Sequence, residues 1–141
     1  MFNRTSCACQ SCVQCCKDQP GPLIPGDFER IAEALGDPVN AWRYFWASPG
    51  ALVQDTETGR QRWIRTITPR REHGRCVFLD DQDRCRIHAV APFGCAYFDT
   101  HQSQAEAQRR GVYYLQLIEA SPEYRVLRSS LPFADWHKPR T

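Results

Sequence analysis

Five of the eight cysteines in this 141-residue chain stand within ten residues of one another near the N-terminus. The clustered five are Cys7, Cys9, Cys12, Cys15 and Cys16, and the later three are Cys76, Cys85 and Cys95. Cysteines that are buried only for packing are spread along the elements that bury them. Thiolates at two-residue intervals can instead converge on one metal centre. The pattern predicts a bound metal or iron–sulfur cluster, with all eight cysteines as candidate ligands.

The spacing of Cys9, Cys12 and Cys15 bears on which metal is bound. Two intervening residues at each step are typical of the first three ligands of a bacterial [4Fe–4S] loop, whose fourth cysteine comes from elsewhere. A zinc site more often takes two separate Cys-x-x-Cys pairs, and the later cysteines stand singly. The spacing therefore favours an iron–sulfur cluster, with zinc as the alternative. Eight thiols are enough for either one centre or two.

The compartment decides between metal ligands and disulfides. The N-terminus has no apolar stretch of signal-peptide length, and no later run is long enough to span a membrane. We therefore expect a cytoplasmic protein, in which structural disulfides are rare. A disulfide between the adjacent residues Cys15 and Cys16 would also strain the peptide bond that joins them.

Patterning of the first fifty residues predicts a coil followed by two helices. Residues 1–22 have no apolar periodicity, so we expect a coil that is ordered only by what its sulfurs bind. Apolar residues from Phe28 to Leu35 recur with helical spacing and end at Gly36, which predicts an amphipathic helix. A second helix is predicted to begin at Asp37-Pro38 and to end before Pro49-Gly50, with its aromatic residues in the core.

Beyond residue 50 the pattern changes to strands and then returns to helices. A hairpin is predicted around Gly59, and a second hairpin is predicted to carry Cys76 and Cys85 on its two arms. A helical turn presents Cys95, and Ser103 and Ser121 each begin a helix. Residues 112–118 fit either helix or strand, and Trp136 is expected to pack back on the core. The fold class is α+β: one domain, residues 1–141, with helices packed on a short antiparallel sheet and the N-terminal coil locked by the metal.

These residues resemble a known family. Cys9-x-x-Cys12-x-x-Cys15-Cys16 is followed by Cys76-Val-Phe-Leu-Asp80, Asp83-Arg-Cys85-Arg-Ile87 and Pro92-x-x-Cys95. This set is similar to the YkgJ-like cysteine-cluster family of proposed zinc- or iron-chelating domains, over about residues 7–98, which leaves 99–141 as a helical extension. The resemblance implies metal or Fe–S binding. A flagellin lysine methylase that looks distantly related carries an Fe–S cluster on similar cysteines, which makes a redox or modifying role an alternative.

The chain departs from the family pattern where arginine or tyrosine is usual, at His88, Ala91 and Ala96. His88 lies three residues after Cys85 and is a candidate ligand, although a structural histidine in a turn is the simpler interpretation. The acidic group Asp80, Asp81 and Asp83 is interpreted as a hairpin turn rather than a divalent-cation site.

Absent catalytic motifs and an arginine-rich stretch bear on the function of the chain. No phosphate-binding loop, Gly-x-Ser-x-Gly or His-Glu-x-x-His motif is present. This favours a metal- or cluster-binding protein that acts in assembly, delivery or protein interaction over an enzyme, with a structural zinc module as a further alternative. The arginines from Arg60 to Arg75 are predicted to border the metal centre and to dock an acidic protein partner. Nucleic acid is disfavoured because only Trp63 lies in this stretch to stack on bases.

Overall fold

The structure is a computed structural model that describes residues 2, 4, 9–18, 20–54, 57–98 and 101–134. Its α-helices are α1 (Gln10–Asp18), α2 (Asp27–Leu35), α3 (Phe93–Ala96), α4 (Gln104–Glu119) and α5 (Pro122–Ser130). Its strands are β1 (Phe45–Gln54), β2 (Gln61–Pro69), β3 (Arg71–Glu72) and β4 (Arg75–Cys76), with 3₁₀ turns at Ala41–Tyr44 and His88–Val90. Helices combined with short antiparallel sheets confirm the predicted α+β class.

The predicted N-terminal coil is wrong, because α1 occupies most of the described part of that segment. The backbone N–H of Val13 donates to the carbonyl of Cys9 over 3.0 Å, so the first helical hydrogen bond begins at Cys9. Cys9, Cys12 and Cys16 then follow one another at steps of three and four residues, which places them along one side of a helix. A cysteine spacing that is typical of a [4Fe–4S] loop is therefore also compatible with an α-helix.

The predicted second helix is also wrong. Only a 3₁₀ turn forms at Ala41–Tyr44, and β1 begins at Phe45. Phe45 and Trp46 are both buried although they are adjacent, which suits a strand covered on two faces better than a one-sided helix. Trp42 is 51% exposed, so the prediction that these aromatic residues form core holds for Phe45 and Trp46 and fails for Trp42.

The first predicted hairpin is confirmed and is longer than expected. β1 pairs antiparallel with β2 from Phe45 opposite Pro69 to Gln54 opposite Gln61. Gly59 lies in the connecting segment at a φ of 71°, a left-handed conformation that glycine adopts without strain.

The second predicted hairpin is only partly confirmed. Cys76 lies in β4 and pairs with Arg71 of β3, not with the segment that carries Cys85. A tight loop nevertheless forms where the acidic turn was predicted. Within it, the N–H of Asp80 donates to the carbonyl of Arg84 over 2.9 Å, and Leu79 forms an isolated bridge with Cys85.

The C-terminal half of the described chain forms the predicted helices. Ser103 caps α4 by accepting a hydrogen bond from the N–H of Glu106, and Ser121 caps α5 in the same way. Residues 112–118, which fitted two structures, continue α4. Tyr124 joins α5 to the sheet: its hydroxyl accepts from the N–H of Ile67 over 2.8 Å and donates to the carbonyl of Leu23 over 2.7 Å.

One hydrophobic core connects these elements and includes a candidate ligand. Cys76 is buried in it, and α1 packs against the strand that carries Cys76. Other core members are Leu23, Ile31, Phe45, Ile67, Phe78, Phe93 and Ile118. No helix among the described residues has the length and apolarity needed to cross a membrane. The predicted packing of Trp136 lies outside the described residues.

Candidate metal centres

Cys9, Cys12 and His101 form a cluster of metal-binding side chains that we call the surface triad. The Cys9 Sγ lies 3.6 Å from the Cys12 Sγ and 3.3 Å from the His101 Nε2. All three donor atoms lie within 4.8 Å of one another. The two cysteines are half-buried and the histidine is exposed, so this cluster lies at the protein surface.

Two separate elements build the surface triad. Cys9 immediately precedes α1 and Cys12 lies in its first turn, while His101 precedes the Ser103 cap of α4. Polar contacts hold the segment that carries the histidine. The side-chain amide of Gln102 donates to the carbonyl of Tyr97 over 2.8 Å, and Arg110 of α4 donates to the same carbonyl over 2.5 Å.

The spacing of the triad fits a single tetrahedral ion. With metal–sulfur bonds of about 2.3 Å and metal–nitrogen bonds of about 2.0–2.1 Å, tetrahedral angles place two sulfurs ~3.8 Å apart and a sulfur and a nitrogen ~3.6 Å apart. The observed separations of 3.6 Å and 3.3 Å are close to these values. In a [4Fe–4S] cube each thiolate binds a different iron, which holds the sulfurs further apart. The donor set of the triad therefore suits one zinc or iron ion.

Cys16, Cys76, Cys85 and Cys95 form a second cluster, which we call the four-thiol group. Their charges act on one another: Cys16, Cys76 and Cys85 all contribute to raising the pKa of Cys95 after burial, which is the largest cause. Burial likewise raises the pKa of Cys76 to about 12, and Cys85 and Cys16 add to the effect. Four thiols from α1, β4, the loop after β4 and α3 thus lie close enough for their charges to interact, although among the described residues the surface triad alone brings its donor atoms within 4.8 Å of one another. Four sulfurs are the donor set of a structural zinc site or an iron–sulfur cluster.

Backbone amides support the sulfurs of the four-thiol group. The N–H of Gly21 donates to the Cys95 Sγ over 3.3 Å. Backbone hydrogen bonds from Phe78 and Leu79 lower the pKa of Cys76 against the larger effect of its burial. N–H groups directed at sulfur stabilise the thiolate form that a metal binds.

A crossing of two glycine backbones sets the position of Cys95. A Cβ atom at Gly21 would lie 2.2 Å from the carbonyl carbon of Gly94, and a Cβ at Gly94 would lie 2.1 Å from the Cδ of Pro22. Neither position has room for a side chain. The N–H of Gly94 donates to the carbonyl of Pro22 over 2.9 Å, which closes the crossing beside Cys95.

The buried carboxylate of Asp27 anchors the helix that carries Cys95. Its Oδ2 accepts from the N–H of Phe93 over 2.9 Å and from the N–H of Ile24 over 3.0 Å. Its Oδ1 accepts from the guanidinium of Arg30 over 2.8 Å. One side chain at the start of α2 thereby fixes the start of α3.

Basic side chains surround part of the four-thiol group, although not as predicted. Burial raises the pKa of Cys85, while the N–H of Ile87 and the charges of Arg4 and Arg86 oppose that rise. These arginines lie outside the predicted basic stretch. Arg71 of that stretch donates to the carbonyl of Lys17 at the end of α1 over 2.8 Å.

The far end of the basic stretch lies elsewhere. Arg65 lies over the ring of Phe133, with its guanidinium carbon 5.6 Å from the ring centre. The side chain of Arg62 lies outside the described set. Arg71 thus contacts α1 and Arg65 contacts the ring of Phe133, and the prediction that the stretch borders a metal centre stays a prediction.

The eight predicted ligands divide between two clusters, as far as they are described. Cys9 and Cys12 belong to the surface triad, and the four-thiol group contains Cys16, Cys76, Cys85 and Cys95. Cys7 and the side chain of Cys15 lie outside the described residues. The six described cysteines are thiols and not halves of a disulfide.

Sequence reasoning missed His101. It stands ninety-two residues from Cys9, and no local motif marks it as a ligand. His88, the histidine that was considered, is exposed and does not belong to the surface triad. The acidic loop is the turn that was predicted, since Asp80 accepts hydrogen bonds from the N–H groups of Gln82 and Arg84, and Asp83 pairs with Lys17 and Arg75.

One comparison with known proteins identifies a relationship. The model of the CxxCxxCC family, described as "Putative zinc- or iron-chelating domain", matches residues 8–113, which include every described cysteine and His101. Neither a curated protein nor a solved structure matches the chain.

Proposed function

Because the chain belongs to the CxxCxxCC family, we propose that it carries zinc or iron and delivers the metal to another protein. The observation that carries this proposal is the surface triad, whose donor atoms lie within 4.8 Å of one another at an exposed position. A metal bound by half-buried thiolates and an exposed imidazole can be reached by ligands of a partner without unfolding of the carrier.

The cysteine spacing and the distance between two of the sulfurs favour different metal centres. The spacing of Cys9, Cys12 and Cys15 favours a [4Fe–4S] cluster. The 3.6 Å between the Cys9 and Cys12 sulfurs favours a single ion, since two thiolates of a cube bind separate irons. For the surface triad the short distance between the sulfurs therefore favours a single ion. An iron–sulfur cluster with a redox or modifying role is the alternative and would use the four-thiol group.

A structural zinc module is a second candidate, and the burial of Cys76 within the four-thiol group favours it. Closed Cys₄ sites bind zinc without an open coordination position and stabilise small folds. In this version, metal at the four-thiol group holds α1 against β4 and leaves only the surface triad for exchange. Thiolate ligation at both clusters requires a reducing compartment such as the cytoplasm.

Metal analysis of protein purified anaerobically without chelator tests the proposal. We expect about one or more equivalents of zinc plus iron per chain, with a visible spectrum that separates the two metals. Colourless protein with zinc supports single-ion sites, whereas brown protein that is bleached by air supports the cluster. Less than about half an equivalent of zinc plus iron would contradict metal carriage.

Delivery is tested by release. Zinc in the surface triad should pass to a competing chelator faster than zinc in the four-thiol group, because the triad is exposed. Two release phases are therefore expected in the wild type, and the Cys12→Ser variant should lose the fast one. A single slow phase in the wild type would favour the structural module.

For the partner, we propose an acidic protein that docks on the basic stretch. Arg65 is exposed, and its guanidinium is oriented by the ring of Phe133. Reversal of charge in the pair Arg62→Glu and Arg65→Glu should abolish co-purification of a protein partner while metal content stays unchanged. Arg125→Glu on the exposed face of α5 is the matched control. A double variant that keeps every interactor would place the docking surface elsewhere.

A further inference from the structure

We propose that Cys9, Cys12 and His101 bind one tetrahedral zinc(II) or iron(II) ion, at a site separate from the four-thiol group. The inference rests on the proposed metal carriage and goes further, because it fixes the nuclearity of the site and assigns a ligand outside the cysteine motif. It also divides cysteines that stand in one sequence cluster between two centres.

The donor chemistry points to a transition metal. Two thiolates and one imidazole suit zinc and iron, whereas magnesium and calcium take oxygen ligands. The Nε2 of His101 is the ring atom directed at the Cys9 sulfur, over 3.3 Å. The imidazole thus presents one nitrogen to the position that a shared metal ion takes between the two sulfurs.

The division into two centres follows from the geometry of α1. Cys12 and Cys16 stand four residues apart, which is about 6 Å along a helix axis. Cys12 lies at the start of α1 beside His101, whereas Cys16 lies towards its end, where the helix packs against β4. The charges that act on Cys95 include that of Cys16. One helix therefore supplies ligands to the surface triad from its first turn and to the four-thiol group from its next turn.

Several of the contacts that hold the segment carrying His101 do not involve the cysteines. The Tyr97 carbonyl, Gln102, the Ser103 cap and Arg110 hold this segment against α4. Arg110 is itself buried and paired with Glu106 over 2.9 Å. The imidazole is therefore presented from a segment that is fixed independently of α1, and binding of a metal would join α1 to the start of α4.

The experiment compares His101→Ala with His88→Ala in the full-length chain. Both histidines are exposed, and His88 is the matched control because it lies outside the surface triad. Each protein is purified anaerobically, stripped of metal, and titrated with zinc and with cobalt(II). X-ray absorption at the metal edge then reports whether imidazole scatters in the shell around the ion.

We expect the wild type and His88→Ala to show imidazole at the metal, and His101→Ala to lack it. Loss of a direct ligand should weaken the affinity of this site by more than about 100-fold, the upper end of what loss of an outer-shell partner produces. His101→Cys should restore binding, with stronger sulfur-to-cobalt charge transfer and no imidazole signal. This rescue separates ligation from a structural role, since a cysteine does not replace the packing of a histidine.

Several results would overturn the inference. Unchanged affinity and unchanged imidazole scattering in His101→Ala would exclude His101 as a ligand, as would loss of that scattering in His88→Ala instead. Iron in the wild type that is entirely [4Fe–4S] and depends on Cys9 and Cys12 would exclude a single ion at the triad. If His101→Ala does not fold, His101→Cys replaces it in the test. Loss of the imidazole signal in His101→Cys would then support the inference, and an unchanged signal would overturn it. Wild-type protein without any zinc or iron would instead contradict the proposed function itself.

Discussion

The surface triad and the four-thiol group both contain cysteine thiols, but they differ in how exposed their side chains are. The triad combines half-buried thiols with an exposed imidazole, whereas the four-thiol group combines the buried Cys76, whose pKa is raised by burial to about 12, with three half-buried thiols. Metals bind the deprotonated thiolate, so a buried thiol must lose its proton as the metal enters. The four-thiol group therefore depends on metal to become charged, while the triad can gain and lose metal at the surface of a folded protein.

The two clusters also differ in what holds them in place without metal. The four-thiol group is fixed mainly by backbone groups: the crossing at Gly21 and Gly94, the N–H directed at Cys95, and the N–H of Phe93, which the Asp27 side chain holds. The triad depends on side-chain contacts at the ends of α1 and α4. A backbone-fixed group suits permanent structure, and a side-chain-fixed group suits exchange.

Replacement of a sulfur in the four-thiol group should have the largest effect. In Cys76→Ser we expect loss of metal from this group and a decrease of several kcal/mol in the free energy of unfolding, as part of the roughly 10–16 kcal/mol that structural zinc supplies in small zinc peptides. Hydrogen exchange of α1 should increase, because its packing partner β4 carries Cys76. Cys12→Ser is the comparison variant and should increase exchange only in the first turn of α1, which carries the surface triad. Equal protection of α1 in wild type and Cys76→Ser would show that metal does not hold this helix.

A methyl group at the glycine crossing should have the next largest effect. Gly94→Ala puts a Cβ 2.1 Å from the Pro22 side chain and 2.4 Å from its backbone nitrogen, so the backbone must move. We expect a loss of about 2–3 kcal/mol in the free energy of unfolding and weaker metal binding at Cys95.

Gly111→Ala is the matched control for that substitution. Gly111 lies in α4, its nearest neighbour would be 4.0 Å from the new Cβ, and alanine favours helix by up to about 1 kcal/mol. The control should be neutral or stabilising in thermal unfolding. A Gly94→Ala protein as stable as Gly111→Ala would mean that the crossing does not constrain Cys95.

Loss of the Asp27 carboxylate should have a smaller effect on stability than the substitution at Gly94. Asp27→Asn keeps the size of the side chain and removes the charge that accepts two backbone N–H groups and the Arg30 guanidinium. Hydrogen bonds to a charged group contribute about 1.5–3 kcal/mol each, and asparagine keeps one acceptor oxygen. We therefore expect the loss of at least one such bond, about 2 kcal/mol or more in urea unfolding. Asp37→Asn, which removes an exposed pairing with Arg43 at 3.7 Å, should change stability by less than about 0.5 kcal/mol. Similar values for the two variants would argue against the anchoring of α3.

Structural features that depend on residues close in sequence were predicted correctly, whereas features that depend on distant residues were not. The helix caps at Ser103 and Ser121 and the turn at Asp80 are set by residues close in sequence, and all three were predicted correctly. The strand at Phe45 was missed because its burial comes from distant partners, and the helix α1 was missed because cysteine spacing fits a loop and a helix alike. The spacing of the cysteines was enough to make them candidate ligands, and the family resemblance agreed with it. The resemblance could not find His101, whose approach to Cys9 is made by the fold and by no motif.

The smallest effect should come from the ion pairs at the start of α4, which support the triad and not the four-thiol group. Glu106 pairs with the buried Arg110 over 2.9 Å and with the exposed Arg109. The hydrogen bonds from Arg110 and Arg109 lower the pKa of Glu106 below its usual value of about 4.3.

A lowered pKa means that the charged form is the one stabilised in the folded protein, so this contribution is present above about pH 4.3 and is lost as the pH falls through the folded-state pKa. Glu106→Gln should therefore be slightly less stable than the wild type near neutral pH, and the difference in thermal midpoint should shrink to nothing in acid. Arg110→Ala should reproduce the loss and also weaken metal binding at His101, because Arg110 contacts the Tyr97 carbonyl. Arg109→Ala is the control and should change little, since that side chain is 70% exposed. An effect of Glu106→Gln on metal in the four-thiol group would mean that the two clusters are coupled through α4 rather than built independently.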